Sequence, residues 1–172
     1  MEKESNDKNN KKTISVEAAR LRMADLCARS EQCSYDIEQK LRRYGLNNEE
    51  ISEILKFLSE NKFVDDGRFA RSFARDKVRF AGWGPMKIKM ALAAKRINAR
   101  DIIEALKAVE DTDNQAALQR ALKSKVRNLD PNDRNDRQKA LRYLMSRGFK
   151  ADDCLKAVEA WRKNSLEEED NH

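Results

Sequence analysis

Glycine and proline are scarce in this chain, 5 and 2 among 172 residues. That removes most of the turns a sandwich, a barrel or an open α/β sheet would require. Aromatic residues make up 6% and mean hydropathy is −0.90. Apolar material is therefore too thin for one thick globule, and the core is expected to be spread along an elongated, curved molecule. Histidine occurs once, at His172, the last residue. This withdraws the commonest catalytic base and metal ligand from anything folded. Three cysteines, Cys27, Cys33 and Cys154, form no CxxC pair and are odd in number. Neither a disulfide framework nor a zinc site is expected, and each reads as a small apolar residue. No apolar run approaches the roughly 18 residues of a membrane span, and the first fifteen residues lack the apolar stretch of a signal peptide. The chain reads as cytoplasmic. No GxxxxGK[ST], GxGxxG or HExxH is present, so no enzyme, cofactor or metal is expected.

What the chain does contain is charge, 38% of its residues, with 36 Lys plus Arg against 30 Asp plus Glu. The resulting net charge of +6, with a pI near 9.2, favours acidic partners. From Gly67 to Ala108 eleven basic residues face three acidic ones, a local +8 that leaves −2 for the rest of the chain. The basic character is thus concentrated in the middle.

The chain is also a repeat. Leu41, Gly45-Leu46, Ile51, Leu55 and Leu58 recur at the same spacings as Leu92, Arg96-Ile97, Ile102, Leu106 and Val109, and again as Leu144, Gly148-Phe149, Cys154, Val158 and Trp161. The period is 51 and then 52 residues, room for three helices per unit. In each copy one helix ends near Tyr44, Lys95 or Arg147, an apolar residue plugs the elbow, and a second amphipathic helix follows. Asn47 to Glu50 and Asn98 to Asp101 have the spacing of a capping box. Gly45 and Gly148 suit the left-handed conformation of a helix C-terminus, which Arg96 must either reach under strain or avoid.

One more amphipathic segment precedes each pair: Val16 to Ala28 with Leu21 and Leu26, Arg68 to Phe80 with Phe69 and Phe73, and Ala116 to Val126 with Leu118 and Leu122. Pro85 and Pro131 are each expected at a first helical position. The reading is an all-α protein of three tandem three-helix repeats, about nine helices. The repeats are residues 16–64, 65–110 (basic) and 111–163, between a polar tail at 1–15 and an acidic tail at 164–172. Glu167 to Asp170 are four consecutive acids, read as disordered. Trp161 is expected in the core, beside its repeat partners Leu58 and Val109.

Phe63-Val64-Asp65-Asp66-Gly67-Arg68-Phe69-Ala70, followed by Arg79, Gly82, Ile88 and Leu92, resembles the central signature of the RecX family. Arg29-Ser30, Lys40-Leu41 and Gly45 resemble that family's first unit, and Leu144 to Phe149 its last. The likeness runs from about Ala18 to Trp161. Ala91 and Arg96 depart from it, standing where members usually carry an acid and a glycine. The resemblance implies a non-enzymatic regulator of three-helix repeats that lodges in the groove of the RecA filament on DNA. There it would oppose strand exchange and co-protease activity.

Within the basic unit, Arg68, Arg71, Arg75 and Arg79 form one helical stripe able to track phosphates or meet an acidic surface. A merely solvated face has the same pattern. Lys87, Arg96 and Arg100 are candidates to extend the patch. Trp83, between two glycines, either inserts into a partner or staples helices of one unit. Asp65-Asp66 reads as helix capping and not as a catalytic or metal-binding pair. Two functions are carried forward: a monomeric regulator of the RecA filament, and a direct DNA binder acting through the middle repeat.

Overall fold

The computed structural model describes residues 14–170, with side chains described as far as Leu166. Among these residues it contains nine α-helices, one 3₁₀ turn and no strand. The helices are α1 (Val16–Arg29), α2 (Ser34–Arg43), α3 (Asn48–Glu60), α4 (Asp66–Arg79), α5 (Pro85–Ala94), α6 (Ala99–Lys107), α7 (Asp111–Lys125), α8 (Arg134–Ser146) and α9 (Ala151–Asp170). The chain divides between Phe69 and Ala70, inside α4, into two compact units. The all-α repeat architecture is as read from the sequence.

The first unit is built on a core of Ala19, Met23, Ile37, Leu41, Leu46, Ile51, Ile54, Leu58 and Val64, with α3 packed on both α1 and α2. Ile14 packs on this core and Ser15 caps α1 by accepting from the Ala18 N–H. The fold therefore begins before the expected end of the polar tail, because a Ser cap and the apolar residue ahead of it belong to the helix start. Residues 1–13, Asn171 and His172 lie outside the described residues. Leu21, expected on the apolar face of α1, is 62% exposed, whereas Ala19 and Met23 are buried. The row at i and i+4 is the one that faces α3.

In the second unit α5 packs on α6, and α7, α8 and α9 pack on one another. The buried residues are Ala70, Ala74 and Val78 of α4, Ile88 and Leu92 of α5, Ile102 and Ala105 of α6, and Leu118, Leu122, Leu144, Cys154 and Val158 of the last three helices.

The elbows explain the repeat. The Leu46, Ile97 and Phe149 N–H groups donate to the carbonyls of Leu41, Leu92 and Leu144, while those of Gly45, Arg96 and Gly148 donate to Arg42, Ala93 and Met145. This is the Schellman closure, whose apolar contact joins the residues five apart that the repeat keeps as Leu and a large apolar partner. The left-handed residue is Gly45 (φ 79°), Arg96 (φ 57°) or Gly148 (φ 90°). Arg96 thus takes the strained option. A fourth copy ends α3, where Phe63 N–H donates to Leu58 and Lys62 sits at φ 58°.

The capping box at Asn47 and Glu50 is complete, and Asn98 accepts from the Asp101 N–H. Pro85 opens α5 as expected. Pro131 does not open α8: that helix starts at Arg134 with Asp133 as its cap, and the Pro131 carbonyl accepts from Arg137. An Asp followed by three polar residues was the stronger start signal. Helix α7 begins at Asp111, five residues ahead of the apolar periodicity, because Asp111 and Asp113 favour the positive end of the helix dipole while contributing nothing to the core. Helix α9 continues to Asp170, through the segment read as a disordered acidic tail; residues 163–170 contain neither Gly nor Pro to stop it. Trp161 is half-buried, beside Leu122 and Ala157 on an open groove, and not sealed in the core.

Candidate partner-binding surface

Helix α4 starts from the Asp65-Asp66 pair, and each carboxylate caps a different helix. Asp65 accepts from the Arg68 N–H at 2.8 Å and closes the first turn of α4. Asp66 reaches back 32 residues and accepts from the Ser34 N–H at 2.7 Å. That N–H opens α2, whose own N-cap, Cys33, makes no side-chain bond to it. The pair is structural, as its sequence context indicated.

With Phe69, Ala70, Ala74 and Val78 turned inward, the arginine stripe lies on the opposite side of α4, but its four members are not equivalent. Arg68 donates from Nε to Glu31 Oε1 at 2.6 Å and from its terminal nitrogens to the carbonyls of Lys62 and Phe63. It secures the start of α4 to the segment before it. Arg79 pairs with Asp113 of α7 at 3.2 Å. Between them Arg71 is half-buried and Arg75 exposed, and neither has a carboxylate partner among the described residues.

A second cluster stands away from the stripe. Trp83 meets Phe73 edge-on, with ring centroids 6.3 Å apart. Lys77 Nζ lies 4.9 Å and Lys87 Nζ 4.7 Å from the centre of its ring. The Trp83 N–H donates to the Lys77 carbonyl, and the adjoining loop is locked to the α8–α9 elbow. Gly84 N–H donates to Arg147 O at 2.8 Å and Met86 N–H to Gly148 O at 3.0 Å. The Arg147 guanidinium donates to the carbonyls of Ala81 and Gly82. A Cβ on Gly84 would overlap the backbone of Gly148 and Phe149, and one on Gly148 would strike Lys87. Of the two roles open to Trp83, the contacts are those of a staple, in a loop that ties α4 and α5 to α8.

The remaining candidates are separate from both clusters. Arg96 holds the α5–α6 elbow. Arg100, on α6, donates to Glu104 at 3.0 Å, and that bond raises its pKa. Lys77 and Arg147 were not singled out from the sequence. Lys77 falls on the face of α4 opposite the stripe, and the partners of Arg147 lie more than sixty residues away.

Other chemistry is sparse. Cys33 and Cys154 are buried and Cys27 half-buried, all as free thiols. Burial pushes the Cys154 thiol up to about 11 and, with Glu31 nearby, raises that of Cys27. Among the described residues no group of three or more His, Cys, Asp or Glu is placed to hold a metal ion, and no helix is long and apolar enough to cross a membrane.

Comparison with known proteins places this geometry. The model of the second three-helix domain of RecX matches residues 65–106, and that of the third matches residues 111–158. A regulatory protein RecX from Vibrio parahaemolyticus serotype O3:K6 is 30% identical over 145 residues, covering 84% of this chain and 88% of its own. The regulatory protein RecX of Pseudomonas entomophila is 32% identical over 132 residues, covering 77% and 84%. Two crystal structures share the fold. One, of a regulatory protein RecX, has a TM-score of 0.74 at 24% identity over 84% of this chain and 71% of its own. The other, RecX from Lactobacillus salivarius, has a TM-score of 0.73 at 20% identity over 84% and 95%. On the two domain matches and on relatives similar along most of its length, this chain is a member of the RecX family of regulatory proteins.

Proposed function

We propose that the protein binds the RecA filament on DNA as a monomer in the cytoplasm and restrains it. It would oppose strand exchange and co-protease activity, and so modulate recombinational repair and the SOS response without a catalytic step of its own. Residues 16–64, 65–110 and 111–163 serve in this reading as successive modules of one extended contact, in which no single residue need dominate.

The observation that carries the reading is the middle of the α4 stripe. Arg71 and Arg75 present guanidinium groups with no internal carboxylate among the described residues, while Arg68 and Arg79 on either side are anchored. Arginines held by a rigid helix and left unpaired suit an acidic protein surface, or phosphates lying within a filament. Lys87, Arg96 and Arg100 stand apart from the stripe and serve in this reading as separate contacts of the middle repeat, where Trp83 braces the loop between α4 and α5. The test is a RecA strand-exchange assay with Arg71→Glu/Arg75→Glu. Arg75 is exposed and Arg71 half-buried; in a variant that keeps the wild-type melting profile, inhibition falls by an order of magnitude or more. Full inhibition by the folded double variant removes the stripe from the interface.

Direct binding to DNA is the second reading, favoured by the concentration of charge, +8 between Gly67 and Ala108. Phosphate contacts alone would then be enough, and naked DNA would be bound as well as coated DNA.

A further inference from the structure

The first unit is close to electroneutral, yet its charges are sorted. Between Val16 and Val64 there are eight Lys or Arg and nine Asp or Glu. Four of those eight, Arg22, Arg29, Lys40 and Arg43, line a single open cleft of about 420 Å³ between α1 and the end of α2, and only one of the nine acids, Asp25, lines it with them. The cations outside the cleft are mostly neutralised: Arg20 by Glu17, Arg42 by Glu38 and Lys56 by Glu60. Inside it, Asp25 is taken by Arg29. Arg22, Lys40 and Arg43 have no carboxylate partner among the described residues. Arg43 donates only to the Gln39 carbonyl, and the Arg22 guanidinium stands 5.7 Å from the centre of the Tyr44 ring. The rest of the lining is apolar: Met23, Leu26 and the Tyr44 ring.

Three uncompensated cations around a slot with an aromatic wall form a site for an extended polyanion that also carries flat rings. We propose that the α1–α2 cleft binds single-stranded nucleic acid, with Lys40 and Arg43 on consecutive phosphates and a base laid on the Arg22 guanidinium that stands over Tyr44. Cations tracking a backbone beside an aromatic platform are the means by which single strands are held without sequence preference. An acidic peptide would satisfy the cations but leave the apolar lining, Met23 and Leu26, without a matching group. A duplex keeps its base faces stacked away from Tyr44. The site is independent of the α4 stripe, and with about two phosphate contacts it is a weak anchor whose affinity depends on salt.

The probe is a fluorescein-labelled oligothymidylate of about 12 nucleotides, titrated with the full chain and followed by anisotropy between roughly 50 and 200 mM salt. Lys40→Gln/Arg43→Gln is expected to weaken binding about tenfold at the lower salt. It should also flatten the slope of log K against log salt by about 1.4, the share of two single-strand phosphates. Photocrosslinking of a bromodeoxyuridine oligonucleotide to the unmodified chain, mapped by mass spectrometry, should give adducts at Tyr44 and its neighbours on α1. Unchanged affinity and slope in the folded variant would overturn the site, as would adducts confined to α4 and beyond. Equal displacement of the oligonucleotide by polyglutamate of matched charge would reassign the cleft to acidic protein. None of these readouts involves RecA, so they succeed or fail independently of the strand-exchange experiment.

Discussion

At the scale of single residues, adjacent aspartates do two jobs 32 residues apart in the chain. Asp65 closes the helix it begins, and Asp66 supplies the cap that Cys33 cannot give to α2. Loss of a local cap typically costs about 1 kcal/mol. Loss of Asp66 also leaves a half-buried N–H without its acceptor, which adds to that figure. Asp66→Ala should therefore destabilise the chain by about 1–3 kcal/mol, and Asp65→Ala by about 1 kcal/mol, as read from denaturant midpoints at unchanged m. Equal and negligible costs would mean that the pair is not structural. The capping role of Asp65 was legible from the sequence, because a cap lies within three residues of its acceptor group. The partner of Asp66 was not, since nothing local marks Ser34. The same separation hid Glu31 from Arg68 and Asp113 from Arg79. A stripe of four equivalent arginines is therefore two anchors and two groups with no carboxylate partner among the described residues.

At the scale of elements, the elbows are where sequence and structure agree most closely, for a reason of geometry. A Schellman closure brings residues five apart into contact and requires a left-handed residue just before the second of them. The Leu41/Leu46, Leu92/Ile97 and Leu144/Phe149 pairs are the trace that requirement leaves. The Leu58/Phe63 copy leaves no such trace because it does not recur at the repeat period: Asn114 stands 51 residues after Phe63. The start of α7 escaped notice because a polar, exposed first turn has no apolar period. Unforeseen too was the docking of one elbow onto another element: Gly84 and Gly148 are glycine because two backbones touch there. Gly84→Ala should force α5 away from the α8–α9 elbow at a cost of about 1–3 kcal/mol, the usual penalty of overpacking. Because the substitution weakens the loop joining two three-helix repeats, it should also broaden the unfolding transition of the second unit, as expected for repeats coupled through nearest neighbours. Hydrogen exchange at the Gly84 and Met86 amides, which donate across that junction, would accelerate first. Unaltered protection of both amides would show that the contact carries no coupling.

At the scale of the whole chain, the distribution of charge separates the two functional readings. The +8 between Gly67 and Ala108 sits in a molecule whose remainder sums to −2. A duplex that engaged the basic stretch would find no further net positive charge on either side of it in the chain. Binding to naked duplex should then rest on a handful of phosphates, with log K falling by about 0.9 per contact for each tenfold rise in salt. A filament surface offers carboxylates at fixed positions together with apolar area, and only the charged part of that contact is screened over a Debye length of about 8–10 Å. Co-sedimentation across roughly 50–200 mM salt should therefore strip the protein from naked duplex while much of it stays on RecA-coated DNA. Arg71→Glu/Arg75→Glu should lower retention on the coated DNA at every salt concentration. If coated and naked DNA instead release the protein in parallel, phosphate is the whole of the partner, and direct DNA binding replaces filament binding as the function of this surface.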